Sequence, residues 1–273
     1  MTDSPAIVTL TTDFGLKDPF VGIMKGVIAG ICPSARVIDI THGVEAFNLL
    51  DGALAIWQAW RYFPAETTHV IVVDPGVGSE RLPILARIGG HWFVAPDNGV
   101  LTLVEREATR DGGAIEVRQI ENPKYMLPAQ SHTFHGRDIF APAAAHLAAQ
   151  IERGNVDAES FGPHVEKMVQ LSIWEPVRQP DGSIQGTILK SDKFGNLLTN
   201  IAATDLPQGS AGWTIEIGDL RITRFARFYA EGKPGEVFAI FGSSGSLELA
   251  TNRGSAQQEI GVHPGAKIRL VPK

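Results

Sequence analysis

Apolar and polar positions along the first two-thirds of the chain switch repeatedly between a strand-like and a helix-like pattern. Short runs of apolar residues predict strands at 6–10, 36–40, 69–73, 82–88 and 91–96. Helical spacing of apolar residues predicts helices at 19–32, 49–63 and 142–154. The strand-like runs lack polar alternation, so both faces of the sheet should be covered. The pattern predicts an α/β domain with a mainly parallel sheet flanked by helices.

The pattern changes near residue 155, where the chain becomes polar and irregular. From residue 177 onward, short strand-like runs alternate with turns, and no strong helical pattern is present. This texture predicts a small C-terminal β-barrel domain. We therefore predict two domains, an α/β domain over 1–175 and a β-barrel domain over 177–273.

Composition narrows the class of protein and of partner. Of the 273 residues, 44% are hydrophobic and 20% are charged, as in folded globular domains. A net charge of −6 without a long basic run argues against nucleic acid, and the apolar runs are too short to span a membrane. The single Cys32 rules out an intrachain disulfide and suggests a buried, unreactive thiol. The N-terminus shows no secretory signal pattern, so we expect a cytoplasmic protein.

Polar side chains occur where the predicted strands end. Asp13 comes after the first strand, Asp74 comes after the third, and the segment "QSHTFHGRD" at 130–138 precedes a helix. Ligands of open α/β sheets bind beyond the carboxyl ends of the strands, so Asp13, Asp74 and His135 indicate an active site. Each aspartate also has a structural interpretation, as a turn residue.

The same residues admit other interpretations. Asp138 is expected to cap the helix that follows it, and His132 to make a local hydrogen bond. A metal site formed by Asp13, Asp74, His132 and His135 would have suitable ligand atoms, but no closely spaced ligand pair supports it. A Ser-His-Asp hydrolase is disfavoured because no G-x-S-x-G elbow occurs, and no G-x-G-x-x-G fingerprint follows the first strand.

Seven segments, taken in order along the chain, carry a family resemblance. They read LTTDFGLKDPFVGIMKG, DITHGV, VVDPGVGSER, APDNGVL, TFHGRDIFAPAAAHLA, SDKFGNLLTNI and SSGSLELATNRGSA. Together they resemble the S-adenosyl-L-methionine (SAM) hydroxide adenosyltransferases, the adenosine-forming SAM hydrolases related to fluorinases and chlorinases. The resemblance implies an N-terminal α/β domain, a C-terminal β-barrel and no metal or other cofactor. It also implies a homotrimer or a multiple of three, with SAM between the N-terminal domain of one subunit and the C-terminal domain of its neighbour.

The resemblance implies a catalytic triad of Asp74, Arg81 and His135. In the implied reaction, activated water attacks C5′ of the SAM ribose, and adenosine and L-methionine are released. His135 is expected to orient the water or take its proton, with Asp74 aligning that pair and Arg81 stabilising hydroxide.

The resemblance also implies a set of substrate-binding residues. Asp13 matches the carboxylate that holds the ribose hydroxyls. The others are Phe47 as an aromatic wall, Asp192 near the methionine ammonium, Phe194, Asn196 and Tyr229 at the adenine, Ser243 and Glu248 at the methionine end, and Thr251 and Arg253 with backbone groups at the adenine. Structural interpretations stay open for Phe47 as a core aromatic and for the segment 192–196 as a hairpin turn. Arg253 is bulkier than is common for the family at this position, which bears on the adenine contacts.

Three alternatives to SAM hydrolysis remain open. A SAM-dependent halogenase would use the same site, but the charge of Asp74 would repel a halide. A non-catalytic sensor of SAM or adenosine would have no need for Arg81 and His135 together. A metal-dependent hydrolase would use Asp13, Asp74 and His135 as ligands.

Overall fold

The chain forms two compact units. The computed structural model describes residues 4–128, 131–172, 175–206 and 212–273. An N-terminal unit ends at Leu171, and a C-terminal unit begins at Ser172. The domain limits expected from the sequence, 1–175 and 177–273, stay a prediction.

A six-stranded sheet lies at the centre of the N-terminal unit. Its strands are β1 (Ile7–Thr12), β2 (Arg36–Thr41), β3 (Thr68–Val72), β4 (Pro83–Ile88), β5 (His91–Pro96) and β6 (Ile115–Gln119). Their order across the sheet is β2-β1-β3-β5-β4-β6. β1 pairs in parallel with β2 and β3, and β3 pairs in parallel with β5. β4 runs antiparallel to both β5 and β6, so the sheet is mixed.

The antiparallel part of the sheet has a local cause. Gly89 and Gly90 join β4 to β5 in a two-residue turn, with φ angles of 57° and 83°. Positive φ at both central positions is the geometry of the tight turns that join antiparallel strands, and glycine adopts it without a Cβ penalty. A parallel pair would need a much longer crossover. The parallel arrangement expected from the sequence therefore holds for β2, β1, β3 and β5, and a hairpin replaces it at β4.

Helices cover both faces of this sheet. They are α1 (Phe20–Ile31), α2 (Leu49–Ala59), α3 (Thr102–Arg110) and α4 (Ala141–Arg153). Along β3, Val70 and Val72 belong to the core formed with α1 and α4, whereas Ile71 belongs to the core formed with α2 and α3. Because alternate residues are buried on opposite faces, the strand has no need of polar positions.

Two elements of this unit are absent from the sequence-based prediction. The segment of α3 is mostly polar, with Val104 and Ala108 buried on one side, and β6 lies at the edge of the sheet. Short elements with few buried positions leave only a weak periodic signal. The helical pattern at 49–63 also ends earlier than expected, because α2 gives way to a 3₁₀ turn at Trp60–Tyr62.

An antiparallel sheet forms the C-terminal unit. Its strands are β7 (Val177–Arg178), β8 (Ile184–Ser191), β9 (Leu197–Ala202), β10 (Trp213–Ile217), β11 (Leu220–Ile222), β12 (Val237–Phe241), β13 (Ser246–Thr251) and β14 (Lys267–Pro272). The order is β11-β10-β14-β8-β9-β13-β12, and β7 pairs with β8. The chain after β11 nearly closes the sheet, because Ala226 N–H donates to the Ala239 carbonyl at 2.8 Å. A nearly closed, barrel-like sheet is what the sequence predicts for this unit.

A short α-helix, α5 (Ala256–Ile260), interrupts the strands of the C-terminal unit. The sequence pattern predicts no strong helix here, and five residues are too few to display a helical period. Within the described ranges, none of the helices has the length and apolarity that crossing a bilayer requires.

A buried histidine pair in the N-terminal sheet makes the stability of the fold depend on pH. His69 Nδ1 lies 2.8 Å from Thr9 Oγ1, and His69 Nε2 lies 3.3 Å from His91 Nδ1. Burial, and secondarily His91, lowers the pKa of His69 from 6.5 to about 3. Between these values the unfolded chain binds a proton that the folded chain does not, so stability is lost as pH falls.

We expect the free energy of unfolding to decrease below pH 6.5, with His69 contributing a slope of up to about 1.4 kcal/mol per pH unit. Urea unfolding between pH 7.5 and pH 4.5 measures it. His69→Gln should be less stable at pH 7.5 but show a flatter dependence, whereas equal slopes in the two proteins would contradict the assignment.

Candidate active site

The loop that follows β3 places Asp74 and Arg81 in a closed ion pair. Arg81 Nε donates to both carboxylate oxygens of Asp74 at 3.0 Å, and Arg81 Nη2 donates to Oδ2 as well. The two side chains are only 5% and 9% exposed. The Arg81 guanidinium also lies over the ring of Phe140, at 5.3 Å from its centroid. These contacts hold the planar guanidinium in one orientation.

Arg81 also reaches His135, so the guanidinium lies between the other two members of the expected triad. Arg81 Nη2 is 2.8 Å from His135 Nδ1. A guanidinium only donates hydrogen bonds, so Nδ1 must accept, and a neutral His135 then carries its proton on Nε2. Burial lowers the pKa of His135, the charge of Arg81 lowers it further, and Asp74 opposes the shift. The geometry therefore favours a neutral imidazole that offers an Nε2–H donor.

The loop after β3 and the segment 131–138 are in close contact. Gly78 has a φ of 78°, and a Cβ at this position would overlap the backbone carbonyl of His132. Two reasons therefore require glycine at position 78: the positive φ angle, and the close approach of the backbone at His132. The interlocking of the two loops brings Arg81 within reach of His135.

A cavity of about 290 Å³ in the N-terminal unit contains Asp13, Phe47, Asp74 and His135 among its lining residues. Asp13 Oδ2 accepts the backbone N–H of Phe47 at 2.9 Å. Phe47 has a φ of 65°, unusual for a residue with a Cβ, and is 73% exposed. The interpretation of Phe47 as a core aromatic is therefore wrong, and the ring stands at the cavity.

His42 braces the turn that carries Asp13. The His42 carbonyl accepts the N–H of Gly15 at 2.8 Å, and His42 Nδ1 lies 2.9 Å from Thr12 Oγ1. His42 is itself buried, and its Nε2 lies 3.0 Å from Asp39 Oδ1, although poorly aligned for a hydrogen bond. His42 thus contacts Thr12 and Gly15, on the two sides of Asp13, and these contacts fix the position of Asp13.

Three phenylalanines that the sequence analysis does not assign form an apolar wall of the same cavity. The rings of Phe14, Phe20 and Phe134 have centroids 5.2–5.9 Å apart, with Phe134 edge-on to the other two and the Phe14–Phe20 pair tilted. Phe14 adjoins Asp13 in "TTDFG" and Phe134 adjoins His135 in "TFHGRD". For Phe14 and Phe134, adjacency to predicted polar site residues was the signal available in the sequence.

Asp138 does not cap the following helix, so that expectation is wrong. It lies within a turn of π-helix, Gly136–Phe140, that leads into α4, and its side chain is fully buried. Its Oδ2 accepts the backbone N–H of Ser131 at 2.7 Å, and Arg137 Nε donates to Oδ1 at 2.6 Å. Because the π turn begins before Asp138, the residue is already inside the helical segment. His132 is exposed.

In the C-terminal unit, Asp192 organises the turn between β8 and β9. Its Oδ1 accepts the backbone N–H groups of Phe194 and Asn196 at 2.8 and 2.9 Å, and its Oδ2 accepts from Asn196 Nδ2 at 2.9 Å. The hairpin interpretation of 192–196 is therefore correct for the backbone. The turn leaves Phe194 66% exposed and Asn196 buried.

A second polar group of the C-terminal unit contains Tyr229 and Glu248. The Tyr229 hydroxyl donates to Glu248 Oε2 at 3.2 Å. Burial and the charge of Glu248 raise the pKa of Tyr229 to about 12. Burial raises the pKa of Glu248, the hydrogen bond from Tyr229 opposes this, and the charge of Asp192 adds to the rise. The charge of Asp192 acts on both residues, so the three belong to one local environment.

The remaining predicted residues flank β13. Ser243 is exposed in the turn before this strand, and Thr251 is its last residue, buried with a hydroxyl that has no partner among the described residues. Arg253 follows with a φ of 58°. Ser243 and Arg253 therefore lie at opposite ends of β13.

Within the described ranges, no group of three or more His, Cys, Asp or Glu side chains is arranged to hold a metal ion. Asp74 and His135, two of the three ligands in the metal alternative, are joined by the Arg81 guanidinium. Its positive charge would repel a cation placed on those two side chains.

Comparison with known proteins identifies the family. The profile of the SAM hydroxide adenosyltransferase N-terminal domain matches residues 8–157, and that of the C-terminal domain matches residues 186–269. An (R)-S-adenosyl-L-methionine hydrolase of Thermus thermophilus is 37% identical, covering 97% of this chain and 99% of that protein. One of Salinispora arenicola is 36% identical, with coverages of 96% and 97%.

A solved structure is similar over the same range. The crystal structure of an uncharacterized conserved protein from Thermotoga maritima has a TM-score of 0.86 and 37% identity, covering 97% of this chain and 99% of that one. Fluorinases are more distant relatives. Both the sequence profiles and the near full-length relatives agree with the seven segments that carry the resemblance, and the chain belongs to the SAM hydroxide adenosyltransferase family.

Proposed function

We propose that the protein hydrolyses SAM to adenosine and L-methionine, by attack of water or hydroxide on C5′ of the ribose. The observation that carries this proposal is the Arg81 side chain, which hydrogen bonds Asp74 and His135 at once. Relatives named (R)-S-adenosyl-L-methionine hydrolase are 36–37% identical over nearly the whole chain, so we propose the (R) form as a substrate.

His135 orients the nucleophile in this proposal, and Asp74 takes its proton. The Nδ1 lone pair of His135 faces Arg81, which leaves the Nε2–H to donate to the oxygen of a bound water. Asp74 lines the cavity, and its carboxylate keeps lone pairs beyond those that Arg81 occupies. As the oxygen–C5′ bond forms, the C5′–sulfur bond breaks, its electron pair passes to sulfur, and the water proton passes to Asp74.

The surroundings of the cavity favour this reaction electrostatically. A sulfonium cation becomes a neutral thioether while the developing hydroxide is consumed, so charge disappears in the transition state. The apolar wall of Phe14, Phe20 and Phe134 lowers the local polarity and thereby disfavours the charged reactants. Asp13, whose Oδ2 already accepts from Phe47, holds the ribose hydroxyls through its remaining lone pairs.

We propose that no metal or other cofactor takes part. The sulfonium is already a good leaving group and needs neither Lewis-acid nor redox assistance. We also propose that the protein is located in the cytoplasm, because the buried Cys32 is a free thiol that a reducing compartment preserves.

The halogenase alternative uses the same attack on C5′ with a halide. The buried charge of Asp74 at the cavity disfavours a second anion beside it, even though Arg81 pairs with that charge. An oxygen nucleophile can donate to Asp74, whereas a halide cannot. We therefore favour hydrolysis over halogenation.

Incubation with SAM in chloride-free buffer containing EDTA and ¹⁸O-labelled water tests the function. We expect adenosine and methionine in equal amounts, with the label on the 5′-oxygen of adenosine. A 5′-halo nucleoside formed on adding chloride or fluoride would support the halogenase. Binding of SAM without any product would support the sensor, and activity that EDTA abolishes and a divalent ion restores would support the metal hydrolase.

We further propose a homotrimer or a multiple of three, in which each substrate site draws on two subunits. Each unit carries its own group of predicted ligand residues beside exposed apolar side chains. Leu16 and Phe47 are 80% and 73% exposed in the N-terminal unit, and Phe194 and Phe228 are 66% and 53% exposed in the C-terminal unit. Exposed apolar side chains next to predicted ligand residues are consistent with a surface that a ligand or a neighbouring subunit covers.

Mixing two inactive variants tests whether the site is shared. Arg81→Ala disables the N-terminal unit and Asp192→Ala the C-terminal unit, so in randomly mixed rings roughly one site in four should be intact. We expect trimers or their multiples in sedimentation, and recovery of up to about a quarter of wild-type activity on co-expression. An active monomer, or co-expressed variants that stay inactive, would contradict the proposal.

A further inference from the structure

The Asp138 carboxylate forms hydrogen bonds at both ends of the segment 131–138, which carries His135. Its side chain is 0% exposed. Oδ2 accepts the backbone N–H of Ser131 at 2.7 Å, and the neighbouring Arg137 donates to both oxygens, at 2.6 Å from Nε and 3.1 Å from Nη2. The backbone carbonyl of Asp138 accepts the N–H of Leu127 at 2.9 Å.

Further hydrogen bonds extend this arrangement to Phe134. Ser131 Oγ accepts the N–H of Phe134 at 3.1 Å, and the Phe134 carbonyl accepts from the N–H groups of Arg137 and Asp138 at 3.2 and 3.1 Å. The Arg137 guanidinium also lies over the Phe134 ring, at 5.4 Å from its centroid. Phe134, the residue before His135, is thus held by Ser131, Arg137 and Asp138.

A buried carboxylate gives this arrangement a single geometry. An ionised carboxyl removed from water is strongly unfavourable unless its hydrogen bonds are made, so the segment cannot shift without leaving that charge unpaired. Burial alone would raise the pKa of Asp138, but the hydrogen bonds from Arg137 and Ser131 outweigh it and hold the pKa below its ordinary value. Asp138 therefore stays ionised near neutral pH.

We infer that Asp138 is a positioning residue for the hydrolytic reaction, which fixes the backbone of His135 so that its imidazole meets Arg81 through Nδ1 and presents Nε2–H to the nucleophile. Arg81 by itself holds only one ring nitrogen. The direction of the other nitrogen also depends on where the backbone of residue 135 lies. This inference rests on the proposed function, since it assigns His135 the role of orienting water.

Asp138→Asn tests the inference with little change in shape. Ser131 N–H donates to Oδ2 and Arg137 Nε donates to Oδ1, so an amide, with NH₂ in place of one oxygen, sets a donor against one of these two donors. We expect kcat for SAM to fall about 10²-fold, the loss typical of a displacement near 1 Å at a reacting group, while the Kd of adenosine changes less than about twofold.

Glu107→Gln is the matched control for burial of a paired carboxylate. The Glu107 side chain is 8% exposed and accepts from Arg61 and from Trp60 Nε1, on the α2–α3 face of the sheet. Both variants should lose thermal stability, but only Asp138→Asn should lose kcat. Equal kcat losses in the two variants, or an unchanged kcat in Asp138→Asn, would overturn the inference.

The tautomer of His135 gives a readout that does not depend on turnover. In ¹⁵N spectra of the histidine rings, identified by comparison with His135→Gln, the wild-type protein should show an unprotonated Nδ1 and a protonated Nε2. Asp138→Asn should show a mixture of tautomers, and an unchanged spectrum would contradict the inference. If the wild-type protein fails to hydrolyse SAM, the proposed function fails, and the spectra still decide the structural part.

Ser131→Ala covers the case in which Asp138→Asn fails to fold. It removes the acceptor of the Phe134 N–H and the side-chain hydrogen bond of Ser131 to Asp138, but the backbone N–H of Ser131 and the Arg137 guanidinium still donate to Asp138. We expect a smaller loss of kcat, roughly tenfold, in the same direction and again with adenosine affinity retained. Wild-type kcat in this variant would count against the positioning role of the segment.

Discussion

Arg81→Lys is expected to lower kcat for SAM by about 10²–10³-fold while leaving the affinity for SAM nearly unchanged. Arg81 uses Nε and Nη2 to hold both oxygens of Asp74 and the Nδ1 of His135 at the same time. A lysine ammonium keeps the charge but is a single point with no planar fork, so it cannot reproduce these contacts together. His135 would then lose the acceptor role that keeps its proton on Nε2.

Single-turnover measurement of adenosine formation, with calorimetry for SAM binding, separates the two effects. Arg87→Lys is the matched control, since Arg87 also pairs with a carboxylate, Glu66, at 2.6 Å and lies over an aromatic ring, that of Trp92, at 5.0 Å. We expect wild-type kcat for this control. Near-normal turnover of Arg81→Lys would mean that the charge alone matters and that the planar geometry of the guanidinium does not.

The same arrangement predicts that losses within the triad do not add. Asp74→Ala and His135→Ala should each abolish most turnover, and the double variant should be little worse than either single one, because in the proposed mechanism both side chains serve one water. Full activity of His135→Ala would mean that this histidine takes no part in catalysis and only forms hydrogen bonds within its loop.

Asp13→Ala is expected to weaken the binding of SAM and of adenosine alike. In the proposed reaction Asp13 contacts the ribose in the ground state and in the transition state alike, so we expect its removal to be a loss of uniform binding. Each lost hydrogen bond from a hydroxyl to a charged acceptor costs about 1.5–3 kcal/mol, or roughly a 10- to 150-fold increase in Kd. The Phe47 N–H also loses its acceptor, which adds to the effect.

A comparison of ligands makes this prediction specific to the ribose. The wild-type protein should bind adenosine more tightly than 2′,3′-dideoxyadenosine, and Asp13→Ala should bind both about equally. Asp13→Asn keeps an acceptor for the Phe47 N–H but removes the charge. Its preference for adenosine over 2′,3′-dideoxyadenosine should lie between that of the wild-type protein and that of Asp13→Ala. If Asp13→Ala still distinguishes the two nucleosides, the hydroxyls are held by another group.

Some expectations from the sequence failed for identifiable physical reasons. Asp138 has the residue type and position of a helix cap, but the π turn that precedes α4 places it inside the helical segment, and its carboxylate turns inward to Ser131. The apolar runs of β4 and β5 look like any buried strands, and only the positive φ angles of Gly89 and Gly90 make them a hairpin. A Gly-Gly pair between two strand-like runs was the available signal.

The sequence alone determined the features that depend on short-range patterns or on the order of segments along the chain. Unbroken apolar runs require a sheet covered on both faces, Pro142 and Gly154 bracket α4, and seven ordered segments identify the family. Only the tertiary structure decided that Arg81 lies between Asp74 and His135, that Phe47 stands exposed at the cavity, and that Phe14, Phe20 and Phe134 form one wall. Arg81 and His135 are 54 residues apart, and no local pattern specifies the direction of a side chain across such a separation. Those directions follow from the close approach of two loops at Gly78 and from buried charges, which must find partners once the chain is folded.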